Sequence, residues 1–369
     1  MDKEQILLVG WCNSTNYGTN LQAIALYNVL NRYGKCNLFW DRRYYTAAIF
    51  LEKAYGKIKS ILKKETPNII PKDNVKISNI RSCFGECNKV TINSKSELVK
   101  VIEKYSTYVI GSDQVWNPFY LNDTFLLDFV PKDKNKISYA ASIGVSSIPK
   151  RYHSKYKKYL GDFSYISMRE KSGAEYMGQI IGREIDTVLD PTLLLTKEEW
   201  SEYCKGDDNI VKLPQEFILC YFVGDKISHW DKVQAISKET ALPIVILPMN
   251  AWDLNVPGAT LLSQAGPKEF VRVLEKATVV CTDSFHMCAF SINFDKHLIA
   301  FKRFCDSDSS GQNSRIDDLF EMVGINRYYR DGILDEPENF QMCDGRLSQE
   351  RQRCLKLLKA HLLNCCRRQ

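Results

Sequence analysis

No apolar run in the 369-residue chain approaches the ~20 residues that a helix needs to span a bilayer. That excludes a helical membrane protein. The start, Met1-Asp2-Lys3-Glu4-Gln5-Ile6, carries no basic region and no cleavage site, so no secretory leader is expected. Thirteen cysteines are scattered and odd in number, and neither Cys83/Cys87 nor Cys365/Cys366 has a second pair at zinc spacing. A metal centre is therefore not expected, and reduced thiols in the cytoplasm fit best. The G-x-G-x-x-G and Walker patterns are missing, which removes dinucleotide and P-loop sites. There is no RNA-binding signature and no basic stripe interleaved with aromatics, so nucleic acid is not an expected partner. The net charge of +6 suits anionic ligands or an anionic membrane surface.

What is present is an alternation of short β-branched runs and amphipathic helices. Charged residues at 25% and hydrophobic residues at 44% are globular values, and the length suits two domains. The composition shifts at Lys205-Gly206-Asp207-Asp208-Asn209, which divides the chain into residues 1–204 and 210–369. Within each part, polar residues gather where strands end and helices begin. This is the pattern of a doubly wound α/β sheet, whose ligands bind at the strands' carboxyl ends.

The most informative stretch runs from Cys281 to Phe290. Ala277 to Cys281 reads as a buried strand, and Phe285, Ala289 and Ile292 fall at helical spacing. Thr282, Asp283 and Ser284 therefore sit at a helix start, where any one of them can act as the cap. His286 lies in the first turn, where it either packs locally or exchanges protons. Ile6 to Gly10 is a first strand, followed by a small-residue loop through Asn16-Tyr17-Gly18 and a helix from Leu21, a ready anion cradle. A third junction is Gly111-Ser112-Asp113-Gln114, where Asp113 can cap a helix or meet a substrate. A fourth is Arg169-Glu170, whose plainest reading is a surface ion pair. Thr187 to Asp190-Pro191 brings another strand to a turn. Residues 49–64 form a basic amphipathic segment, either a solvated helix or a membrane-surface contact. Residues 68–82 read as irregular connection, and Leu347 to Leu363 as a basic C-terminal helix.

In order, Asn16-Tyr17-Gly18 with Leu21-Gln22-Ala23, Gly111-Ser112-Asp113-Gln114-Val115-Trp116-Asn117, Tyr139-Ala140-Ala141-Ser142, Arg169-Glu170, Asp190-Pro191-Thr192-Leu193-Leu194, Gly266-Pro267 and Thr282-Asp283-Ser284-Phe285-His286 resemble the polysaccharide pyruvyl transferase family. The resemblance implies a GT-B-like fold, two Rossmann-like domains with a central cleft. It implies transfer of a pyruvyl group from phosphoenolpyruvate to a sugar of a cell-surface polysaccharide or its lipid-linked repeat unit, leaving a cyclic ketal. It also implies no cofactor beyond the donor, and a cytoplasmic enzyme that can sit at the inner membrane face. By that resemblance His286 is the catalytic acid/base, Arg169 grips the donor anion, and Asp113 orients acceptor hydroxyls or takes their proton. Asn16, Tyr17, Gly18, Ser112, Ser284, Lys302 and Arg303 are the implied donor contacts. Several family members carry an arginine two residues before the histidine, where this chain has Ser284. Either the donor has one cationic contact fewer here, or Lys302, Arg303 or Arg315 supplies it. The competing readings are a GT-B glycosyltransferase using a sugar nucleotide and a non-catalytic glycan-assembly protein.

Overall fold

The computed structural model describes residues 4–12, 14–41, 74–206, 212–224, 227–303, 314–325, 327–329 and 340–363. The basic segment at 49–64 and most of the expected linker lie outside those residues.

The first sheet starts with β1 (Gln5–Val9), whose residues from Ile6 onward are fully buried. Helix α1 (Tyr17–Asn31) returns the chain to β2 (Lys35–Asp41), parallel to β1. Next come α2 (Asn74–Ser82), β3 (Lys89–Ile92), α3 (Lys95–Lys104) and β4 (Thr107–Ile110). β5 (Asn135–Ala141), α4 (His153–Leu160), β6 (Tyr165–Met168), α5 (Lys171–Ile181) and β7 (Asp186–Thr187) complete the layer. The strand order is β3-β2-β1-β4-β5-β6-β7, all parallel. A parallel sheet is covered by helices on both faces, which is why β4 and β5 are buried throughout.

After α6 (Lys197–Tyr203) a second parallel sheet follows. It is built from β8 (Ile218–Tyr221), α7 (Ser228–Thr240), β9 (Ile244–Ile246), β10 (Thr260–Leu261), α8 (Pro267–Lys276), β11 (Val279–Thr282), α9 (Phe285–Asn293) and β12 (His297–Ala300). Its order is β10-β9-β8-β11-β12. Both sheets reverse direction beside their first strand, between β1 and β4 and between β8 and β11. Those switch points are where a doubly wound sheet opens a crevice. Helix α10 (Ser314–Val323) then packs against α5 of the first layer, with Asp318 accepting from Ser172 N and Oγ at the start of α5.

Two sequence expectations need correction. Residues 74–82, read as irregular, form α2. Its polar sequence hides the helix, because the anchors are tertiary: Lys76 Nζ donates to Pro248 O and Asn79 Nδ2 to Gln264 O. The C-terminal helix α11 (Phe340–Leu363), assigned by sequence to the second domain, returns to the first. Asn135 donates to His361 O, the His361 ring stacks on Tyr165 at 3.8 Å, and Cys354 Sγ accepts from Leu189 N. Arg351 ties the same helix to Leu193 O and Asn293 Oδ1. Among the described residues no helix is long and apolar enough to cross a membrane.

Candidate active site

The switch points of the two sheets face one another, and the polar junctions meet there. On the second sheet, β11 ends at Thr282, whose Oγ1 donates to Tyr221 O and accepts from Ser284 N. Ser284 is the helix cap: its side chain accepts from Met287 N at 3.4 Å. That fixes the start of α9 and sets His286 in its first turn, buried, with its edge toward the first domain.

On the first sheet, Gly111 stands at φ +129°, and a Cβ there would lie 2.1 Å from Tyr139 O. Only glycine fits. Asp113 follows in the left-handed region at φ +66°, a conformation its short polar side chain tolerates. Its carbonyl accepts from Val115 N and Ser142 N, so the backbone is locked between two loops. Asp113 caps no helix. Its Oδ2 accepts from Thr19 Oγ1 at 2.9 Å, and its Oδ1 lies 3.4 Å from Arg169 Nη2.

Arg169 is the hub. It is buried, and its guanidinium reaches three carboxylates: Nε to Glu170 Oε1 at 3.1 Å, Nη1 to Asp190 Oδ2 at 2.9 Å, and Nη2 to Asp113. It also lies over the Phe285 ring of the opposite domain, 4.2 Å from the centroid. The surface ion pair with Glu170 is thus one contact of a buried network. Burial alone would lower the arginine's proton affinity, but Glu170, Asp190 and Asp113 together raise it above the ordinary value.

Asp190 is the residue that sequence reasoning left without a role. It is buried, its Oδ1 accepts from Thr192 N and Oγ1, and its Oδ2 takes Arg169 and lies 3.8 Å from His286 Nε2. Ser112 Oγ is also within 3.3 Å of that oxygen. The available signal was an Asp-Pro turn at a strand end, which also has an ordinary structural use. Burial pushes the carboxyls of Asp190 and Asp113 upward. The cations outweigh it (His286 and Arg169 first for Asp190, Arg169 and His286 first for Asp113) and hold both below the usual carboxylate range. The His286 imidazole goes the other way: burial lowers it, and Asp190 and Asp113 offset only part of that loss. Among the described residues its Nε2 is buried without a hydrogen-bond partner, and so is Glu170 Oε2.

Gly18 closes the histidine from behind. A Cβ at that position would stand 2.3 Å from the ring's Cγ and Nδ1, so the start of α1 touches the imidazole directly. Asn16 caps α1 by accepting from Thr19 N. Tyr17, expected to meet the donor, is fully buried against Tyr221 and Phe270 and donates to Ala265 O, joining the domains. Ser112 likewise works internally, its N–H bound by Gln22 Oε1 and its hydroxyl close to Ala140 O and Asp190. Arg303 turns to Asp283, with Nε 3.3 Å from Oδ2 and Nη2 donating to the Asp283 carbonyl. Lys302 Nζ lies over the Tyr328 ring. Of the three cations considered as substitutes for an arginine at position 284, Arg315 is the one brought to the hub. It is buried and lines a small cleft with Arg169, Asp190 and Phe285. Burial, with the neighbouring Arg169 charge, brings its guanidinium down to about 10.

An imidazole with a bare nitrogen, two arginines and ordered carboxylates can bind a small anion and move a proton onto or off it.

Known proteins agree with the architecture. The putative UDP-N-acetylglucosamine 2-epimerase of Listeria monocytogenes superposes with a TM-score of 0.50 at 10% identity, covering 99% of this chain and 98% of that one. The UDP-GlcNAc 2-epimerase of Neisseria meningitidis bound to UDP-GlcNAc gives 0.50 at 9% identity, covering 98% and 100%. The S. aureus MnaA–UDP structure gives 0.50 at 14% identity, covering 95% and 90%. At such identities the likeness concerns fold alone, and the fold is the expected GT-B-like pair of Rossmann-type domains. No curated protein sequence matches significantly. A family model described as polysaccharide pyruvyl transferase matches residues 16–303, from the cap of α1 to Arg303, and so takes in every junction described above except Arg315. The chain belongs to the polysaccharide pyruvyl transferase family.

Proposed function

We propose that the chain transfers the pyruvyl group of phosphoenolpyruvate to a pair of hydroxyls on a sugar of a surface polysaccharide or its lipid-linked repeat unit, forming a cyclic ketal. The observation that carries the reading is His286 Nε2, buried and without a hydrogen-bond partner among the described residues, beside an arginine–carboxylate hub built by the opposite domain. A buried polar atom left bare in an ordered site is a place for a ligand.

In this reading Arg169 and Arg315 hold the donor's anionic groups, with the start of α9 adding N–H groups of its own. The donor's negative charge raises the imidazole toward its protonated form. Imidazolium gives its proton to the methylene carbon, the C–C double bond supplies the electron pair, and the central carbon becomes oxocarbenium-like. A sugar hydroxyl attacks that carbon and its proton passes to His286. The second hydroxyl then forms the second C–O bond as the bond to phosphate breaks, and phosphate leaves with the bonding pair and takes that hydroxyl's proton. Asp113 is held ionised and is therefore a weak proton store; it accepts a hydrogen bond from an attacking hydroxyl and orients it. With a lipid-linked acceptor the protein works at the inner membrane face, where the basic segment at 49–64 meets anionic lipid.

Thermal unfolding with phosphoenolpyruvate, and with UDP-sugars in parallel, tests the donor. A ligand ~100-fold above its Kd adds about 2.7 kcal/mol. The wild type should be stabilised by phosphoenolpyruvate, and Arg315→Ala and His286→Ala should lose most of that gain. Stabilisation by a UDP-sugar alone would make the protein a glycosyltransferase instead.

A further inference from the structure

Beyond the hub, the loop after β4 carries a feature that the catalytic reading leaves unused. Immediately after Asp113 the chain folds into a turn with two adjacent aromatics, Phe119 at 73% exposure and Tyr120 at 61%. The turn is held rigidly from below. Val115 N donates to Asp113 O, and Trp116 N to Ser142 O. Trp116 itself is fully buried, with its Nε1 on Phe125 O and its carbonyl accepting from Tyr156 Oη at 2.7 Å. Asn117 is buried and does the presenting: its Oδ1 accepts from Phe119 N at 2.9 Å, its carbonyl accepts from Tyr120 N at 3.1 Å, and its Nδ2 donates to Gln114 Oε1. Behind Tyr120 stands Trp11, edge-on at 6.5 Å and 89°. Trp11 follows β1, and its carbonyl accepts from Gln22 Nε2, while Gln22 Oε1 accepts from Ser112 N. The three rings therefore belong to the two loops of the first sheet's switch point and share a frame with Asp113.

Exposed aromatics scattered singly need no explanation. Two neighbours fixed outward by a buried asparagine, backed by a third ring and continuous with a catalytic loop, do. Their ligand must present an apolar face and be large enough to reach past the hub. A pyranose offers a face of C–H bonds with partial positive charge, which packs on the electron-rich face of an aromatic ring. We propose that Phe119 and Tyr120, backed by Trp11, are an acceptor subsite that stacks on a sugar ring next to the one being modified. This rests on the glycan-acceptor reading above. The platform gives the enzyme a grip on a chain rather than on a single sugar, and it sets which residue of the repeat reaches Asp113.

The test uses the full chain, the Phe119→Ala/Tyr120→Ala double variant, and the conservative pair Phe119→Tyr/Tyr120→Phe. Saturation-transfer NMR without donor measures binding of short oligosaccharides of glucose, galactose and N-acetylglucosamine. The wild type should transfer saturation to ring C–H protons of at least one series, the alanine variant should bind it at least tenfold more weakly, and the conservative pair should retain it. Equal binding by wild type and alanine variant overturns the proposal, and so does a wild type that binds no oligosaccharide. If the alanine variant loses only binding to phosphatidylglycerol vesicles, the turn is a lipid contact and the proposal also falls. Calorimetry with phosphoenolpyruvate runs alongside. Donor binding that is intact in both variants, with saccharide binding unaffected, rejects the platform and leaves the pyruvyl reading standing. Saccharide binding through the platform without any donor binding does the reverse.

Discussion

His286 acquires its environment from a neighbour with no side chain. Gly18 is in the first turn of α1, outside the left-handed region, and any Cβ there would overlap the imidazole. Alanine at that position suits the helix better than glycine, by roughly 0.5–1 kcal/mol. Set against it is the ~1–3 kcal/mol of forcing a buried ring aside, so Gly18→Ala should fold with a modestly lowered unfolding temperature while kcat falls about 100-fold, since a ~1 Å displacement of a reacting group has that effect. Turnover with the wild-type kcat, in a variant that still folds, would mean that the imidazole moves freely and that the contact carries no function. Asn16-Tyr17-Gly18 reads in the sequence as the loop before a helix beginning at Leu21; the helix begins at Tyr17 instead, with Asn16 as its cap. What could not be read is that the glycine serves the opposite domain and that Tyr17 is a buried pillar, because both facts depend on a pairing of distant segments.

At the scale of elements, β11, its polar junction and α9 are where the sequence places them, shifted by about a residue. The strand is β-branched and short, and the junction offers three capping candidates to one helix. The division of labour among the three is a tertiary matter. Ser284 caps. Thr282 binds the adjacent strand β8, and Asp283 is buried, accepting from Val223 N and Gly224 N as well as from Arg303. Ser284→Ala should cost about 1 kcal/mol, as a lost cap does. Asp283→Ala should cost about 3 kcal/mol, because it leaves a cation and two backbone donors without their carboxylate. Urea unfolding of the two variants checks the ranking; equal midpoints would show that Asp283 holds nothing. Helix α2 was missed because its polar sequence carries little periodic signal and its anchors are hydrogen bonds to the second domain. The reach of α11 back to β5 is equally invisible locally; of Cys354, Leu355, Leu358 and Leu362, which fall on one face by spacing, Leu355 is only partly buried and the other three are fully so.

At the scale of the whole molecule, the two switch points make one site only because the domains are joined around it. Tyr17 crosses to Ala265, Arg169 to Phe285, Asp318 to Ser172, and α11 spans the outside. Ordered motifs in the sequence were enough to read the family and the paired-domain architecture, since each motif sits where a strand ends. They were not enough to find Asp190, or to rank Arg315 above Lys302 and Arg303, because proximity across the cleft has no sequence spacing. The central claim is a chemical one and is tested by following carbon. Phosphoenolpyruvate isotopically labelled at its central carbon is incubated with the protein and glycan from the cells that make it, and the products are followed by NMR and phosphate assay. The account predicts a ketal carbon resonance on the glycan, growing in equal amount with inorganic phosphate and absent with His286→Gln. Label that stays in the donor, with no phosphate released while a sugar nucleotide is consumed, would contradict it.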